Sequence, residues 1–219
     1  MFCNKKVSAK DYLVPMILLG IIILAILSYG YKNGKENVVT ISKGTSVSDG
    51  IITFSYPNNF GLAVTSEQIP VRTYIPPCDQ DFNYCLYYIG NEYQGTNFES
   101  AGVRIKKVGA GINKDKCFVP PYDGLQKTVR DGKDYSIAIF DPFGQGAAGH
   151  YTNGTLYRFS YDGTCYEFET RIGMTQFANY PAGAIKEFTD KDKEAVLAKL
   201  ASILNSIFLV SGEKINFEK

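Results

Sequence analysis

The stretch that decides the fold is TLYRFSYDGTCYEFETRI, residues 155–172. Two runs rich in aromatic and β-branched residues flank Asp162-Gly163, a pair that tolerates the positive φ angles of a two-residue type I′ turn. So short a loop sets the register: Phe159 opposite Tyr166, Tyr157 opposite Phe168, Arg158 opposite Glu167. The aromatics then share one face, and Arg158, Glu167, Glu169 and Arg171 share the other. A one-residue slip would break both patterns at once, so the pairing is strongly specified. Cys165 falls on the polar face, where a disulfide would tie another element across the sheet.

Further strands are expected at 51–56 (IITFSY, stopped by Pro57), 71–75, 84–89, 102–108 and 135–140. Each is rich in β-branched or aromatic residues and bounded by Pro, Gly, Asn or Asp. One helix is expected near the C-terminus. Thr189 and Asp192 form a capping box, and Val196, Leu197, Leu200, Ile203, Leu204, Ile207 and Phe208 recur at helical spacing. Residues 207–210 could instead leave the helix as a short last strand. The expected class is α+β: an antiparallel β-sheet packed against a C-terminal helix, preceded by one N-terminal transmembrane helix.

That last expectation rests on LVPMILLGIIILAIL, residues 13–27, flanked by Tyr12, Tyr29 and Tyr31. At 1.5 Å per residue, an apolar segment of 15–19 residues spans about 22–28 Å, enough for a thin bilayer. Lys5, Lys6 and Lys10 precede it, which keeps the N-terminus cytoplasmic by the positive-inside rule. A cleaved signal peptide is the competing reading, with Ser28-Tyr29-Gly30 as the cleavage site. Either way residues 32–219 are exported, to the periplasm or the cell exterior. The expected organisation is a cytoplasmic tail (1–11), an anchor in the lipid bilayer (12–31), a Gly/Ser-rich linker (32–50) and an extracytoplasmic domain (51–219).

Five cysteines support export. With Cys3 in the tail, Cys78, Cys85, Cys117 and Cys165 make an even set, which in an exported domain reads as two disulfides. Three connectivities exist. Cys78–Cys85 is favoured because both flank the short turn PCDQDFNYC, and that leaves Cys117–Cys165. Their spacing matches no zinc finger or ribbon, and no C-x-x-C occurs. Charge is balanced: removing three lysines and one aspartate in residues 1–31 from 23 basic and 22 acidic side chains leaves 20 and 21. A nucleic-acid footprint needs a basic excess, so no nucleic-acid partner is expected.

Several motifs imitate chemistry. Gly144-Gln145-Gly146-Ala147-Ala148-Gly149 matches G-x-G-x-x-G, but a dinucleotide site needs a helix next, and here a hairpin follows. Asp79-Gln80-Asp81-Phe82-Asn83 resembles the start of a calcium loop, with Tyr84 where the sharp-turn glycine belongs. Asn153-Gly154-Thr155 is a glycosylation sequon that also reads as a turn. His150 is the one histidine and therefore the one imidazole base available to a hydrolase. Tyr84, Tyr87, Tyr88 and Tyr93 form an aromatic cluster that could stack on a sugar or peptide, although alternating burial in a sheet explains them too. No catalytic, metal or cofactor residues are assigned.

The opening Ile52-Thr53-Phe54-Ser55-Tyr56-Pro57, with Phe60 three residues on, resembles the start of PsbP/Mog1-like domains. Asp162-Gly163-Thr164-Cys165-Tyr166-Glu167, with Asn179-Tyr180-Pro181 and Lys186-Glu187-Phe188, resembles small anchored bacterial proteins of unknown function. The resemblance implies a domain that opens on a strand, closes near a C-terminal helix and acts as an accessory, non-catalytic module. The expected function is therefore a membrane-tethered interaction module with an extracytoplasmic protein partner. A carbohydrate- or peptide-binding ectodomain and a hydrolase using His150 are the alternatives.

Overall fold

The computed structural model describes residues 46–70, 73–79 and 81–218, all within one unit, Ile41–Lys219. Eleven strands build two sheets. The small one contains β1 (Ser46–Ser48), β2 (Ile52–Ser55) and β11 (Phe208–Leu209) in the order β1-β2-β11. The large one contains β3 (Phe60–Ala63), β4 (Tyr84–Tyr88), β5 (Phe98–Ala110), β6 (Lys127–Asp131), β7 (Tyr135–Phe143), β8 (Gly146–Ala147), β9 (His150–Tyr161) and β10 (Thr164–Thr175). Its order is β3-β4-β5-β10-β9-β7-β6, with β8 paired to β9, and every ladder is antiparallel.

The α+β expectation with a leading transmembrane helix is corrected. The described part is mostly antiparallel sheet, and its one helix longer than a single turn is α2 (Asp190–Leu204), α1 being Lys114–Cys117. Among the described residues no helix is long and apolar enough to cross a membrane, and the expected anchor at 12–31 lies outside them. Short-range signals drew α2 but could not weigh it against eleven strands, several of them too short or too polar to show a period. β1 starts inside the stretch expected to be linker. β3, β6 and β8 carry no alternating pattern in the sequence. No strand forms at 73–75, and residues 71 and 72 lie outside the described residues.

The central hairpin follows its turn chemistry. Asp162 and Gly163 have φ of 44° and 67°, and the pairs are Phe159↔Tyr166, Tyr157↔Phe168 and Arg158↔Glu167. Tyr157, Phe159, Tyr166, Phe168 and Ile172 face one side. There Val196, Leu200, Ile203 and Leu204 of α2, Ile52 and Phe54 of β2, and Phe217 close the main core. The capping box at Thr189 and Asp192 starts α2. Each fully buried large apolar side chain contributes about 1.5–3 kcal/mol, so this layer dominates stability.

The polar face is largely covered as well. Asp79, Arg171, Glu169, Arg104, Glu167 and Arg158 form one alternating chain of charges across β5, β10 and β9. Arg171 Nη1 reaches Asp79 at 2.7 Å and Arg104 Nε reaches Glu169 at 2.9 Å, while Arg104 and Arg158 share the Glu167 carboxylate. Arg104, Glu167, Glu169 and Arg171 are buried, Arg158 is half-buried and Asp79 is exposed at the strap end. Buried charges persist only when paired, and this chain carries three of each sign. A strap between β3 and β4, described at 73–79 and 81–83, lies over it. The strap touches backbone directly: a Cβ on Gly102 would sit 2.7 Å from the Pro77 carbonyl, and one on Gly173 would sit 2.8 Å from Ile75.

Two disulfides hold the covers of this face. Cys78–Cys85 pins the strap to β4, and Cys117–Cys165 pins α1 to β10 beside Phe118, Phe140 and Leu156. All four cysteines are buried. Disulfides of this kind belong to an oxidising, extracytoplasmic compartment.

Candidate functional site

The start of β5, the start of β9 and the end of β10 meet at one end of the large sheet, where Met174 pairs with Phe98 and Thr175 with His150. The G-x-G-x-x-G stretch shapes this end as a hairpin. β8 and β9 join through Ala148 and Gly149, with φ of 51° and 82°, the positive pair of a type I′ turn. No helix follows, so the helix N-terminus that would hold a pyrophosphate is missing, and Gly146 and Ala147 pair with Tyr151 and His150 in the β8–β9 ladder. Gln176 N–H donates to the Gly149 carbonyl at 2.7 Å, which ties the hairpin tip to the loop after β10.

His150 sits where three elements converge. Its Nδ1 lies 2.8 Å from Glu99 Oε1, and its ring stacks on Tyr74 of the strap at 4.2 Å and 15°. The other Glu99 oxygen accepts from Ile75 N–H at 2.9 Å. Ser100 Oγ donates to the Ile75 carbonyl at 2.7 Å, so this hydroxyl is directed at the strap and not at the imidazole. The arrangement positions the strap; it does not line up a nucleophile with a base.

On the opposite side of β9, side-chain alternation turns Tyr151 toward α2. Tyr151, Met174, Phe177, Phe188 and Asn97 line a cleft of about 330 Å³ with the first turn of α2. Asn97 is buried and braces it: Nδ2 donates to the Thr175 carbonyl and Oδ1 accepts from Phe188 N–H, both at 2.7 Å. Tyr180 reaches Thr175 Oγ1 at 2.9 Å.

Exposure singles this end out. Among the described residues six aromatic side chains are exposed, Tyr74, Tyr122, Tyr151, Phe177, Tyr180 and Phe208, and four of these surround it. Tyr74 is 80% exposed, the most of any large apolar side chain there. Its ring is nevertheless backed by His150, so it is displayed on a rigid support.

The tyrosine cluster read from the sequence is placed differently. Tyr84 packs edge-on against Phe54 at 5.4 Å, and Tyr88 against Phe60 at 5.5 Å. Tyr93 is buried against Phe188 at 5.0 Å, and Tyr87 lies on the other face with its hydroxyl toward the Gln68 carbonyl. Burial pushes all four phenols above their ordinary pKa. They do not share one surface. The Asx-rich turn is likewise committed: Asp79 pairs with Arg171, Asp81 with Lys106, and Asn83 Oδ1 accepts from Lys107 N–H, while residue 80 lies outside the described residues. Asn153 lies within β9, paired with Ile172, and Thr155 of the sequon is buried.

Tyr74, Glu99, Tyr151 and Phe177 were not legible as a site, because they come from four separate segments.

No protein family matches the chain, and a search of curated proteins found no match. Among solved structures the chain is similar to the solution structure of cyanobacterial PsbP (CyanoP) from Synechocystis sp. PCC 6803. That similarity has a TM-score of 0.41 and 12% identity, covering 80% of this chain and 98% of the other.

Proposed function

We propose that residues 51–219 form an extracytoplasmic, non-catalytic interaction module that docks a protein partner through the aromatic end of its large sheet. The observation that carries this reading is the set of four exposed aromatics, Tyr74, Tyr151, Phe177 and Tyr180, mounted on braced elements. Rigid aromatic side chains supply large contact area at low entropic cost and dominate protein interfaces. The strap beneath Tyr74 is held by a disulfide and the charge chain, so little ordering remains to oppose binding. His150 serves here as the platform for Tyr74. The packing of Tyr84 and Tyr88 against core phenylalanines and the burial of Tyr87 and Tyr93 favour the protein-docking reading over a glycan site at that cluster.

The test is partner capture in intact cells with a photo-reactive residue at Phe177 or, as a control, at Val129 of β6. A discrete adduct from position 177 that disappears with Tyr74→Ala supports the reading. Equal labelling from both positions, or none from either, removes it.

A further inference from the structure

The cleft beside Tyr151 has a chemistry of its own. Its floor is aromatic and thioether: Tyr151, Phe177, Phe188 and Met174. Glu187, Asp190 and Lys193 line the rest, and none of the three makes a side-chain ion pair or hydrogen bond among the described residues. Around the cleft Glu92 pairs with Lys199 and Asp79 with Arg171, while Glu99 is hydrogen-bonded to His150. The charged side chains that line the cleft are thus two carboxylates and one ammonium, a formal excess of one negative charge.

We infer that this cleft is a subsite for a cationic side chain of the partner, an arginine or lysine whose alkyl stem lies on the aromatic floor and whose head meets Glu187 and Asp190. The inference rests on the docking reading above and names the partner's chemistry. The volume of about 330 Å³ accommodates one such side chain. Cations gain over the faces of Tyr and Phe rings, and a carboxylate pair gives a guanidinium its preferred acceptors. An anion is the competitor, because a helix N-terminus attracts one. Here the helix start is occupied: Thr189 Oγ1 accepts from Asp192 N–H, and the Asp192 carboxylate accepts from Thr189 N–H at 3.0 Å. Asp190 in the first helical turn adds negative charge at the place an anion would take.

The full-length oxidised chain, with Met174 observed through its methyl NMR signal, is titrated separately with butylguanidinium, butylammonium and butyrate. Saturable shifts of the Met174 methyl with both cations at millimolar levels, and none with butyrate, are expected. Glu187→Gln with Asp190→Asn should weaken the cations roughly tenfold, as expected for losing charged hydrogen-bond acceptors, and Lys193→Gln should strengthen them. Binding of butyrate as tightly as the cations, or cation affinity unchanged in the double variant, overturns the subsite. An inert cleft beside a positive photo-capture at Phe177 removes the subsite and leaves the docking surface. A responsive cleft without capture leaves the subsite and removes the partner.

Discussion

At the residue scale, the chain of charges under the strap makes Asp79 the acid-sensitive point. Its hydrogen bond to Arg171, helped by that cation's charge, holds its carboxyl below the ordinary value of 3.8. A group depressed in the folded state stabilises fully above its unfolded pKa, and that contribution is lost as pH falls through the folded value. The thermal midpoint should therefore drop as the pH falls below the ordinary carboxylate value of 3.8, and Asp79→Asn should flatten that part of the acid limb while costing stability at neutral pH. Gly154 is a second single-residue point. A Cβ there would lie 1.8 Å from the Thr170 carbonyl oxygen, so Gly154→Ala should cost about 2 kcal/mol or more by forcing β9 from β10. Gly146→Ala, whose Cβ would meet ordinary contacts starting at 3.4 Å, serves as the control in the same denaturation series.

At the element scale, what the sequence revealed depended on whether a signal was local. The hairpin at Asp162-Gly163 and the capping box at Thr189 could be read because turn and cap chemistry lie within a few residues of each other. β3 and β6 could not, because Gly61 in β3 and the charged KTVRD of β6 owe their pairing to neighbours distant in sequence. The polar face of β10 was legible as polar and not as covered, since the strap over it comes from residues 73–79 and 81–83. The candidate site was illegible for the same reason: its aromatics converge only in three dimensions. Thr189→Ala should cost about 1 kcal/mol by removing the cap. Because Thr189 lines the cleft, the same variant should also perturb the Met174 methyl signal.

At the scale of the whole molecule, a sheet apolar on one face and ionic on the other is closed on both. The helix and the small sheet close the apolar face, and the disulfide-held strap and α1 help close the ionic one. The disulfides close loops with sequence separations of 7 and 48. In the chain-entropy account these contribute about 2.5 and 4 kcal/mol. Cys117→Ser with Cys165→Ser should therefore lower the unfolding free energy more than Cys78→Ser with Cys85→Ser, as read by urea denaturation. The smaller global effect of the second pair should come with the larger local one. Hydrogen exchange should rise at residues 73–79, because that bridge anchors the strap carrying Tyr74.

The central claim is that the aromatic end of the sheet is where a partner binds. Photo-capture in intact cells from Phe177, with Val129 as control and Tyr74→Ala as the silencing variant, tests it most directly. A discrete protein adduct from 177 that is absent from 129 and lost with Tyr74→Ala is the predicted result. Labelling that is equal at both positions, absent from 177, or indifferent to Tyr74 would contradict it.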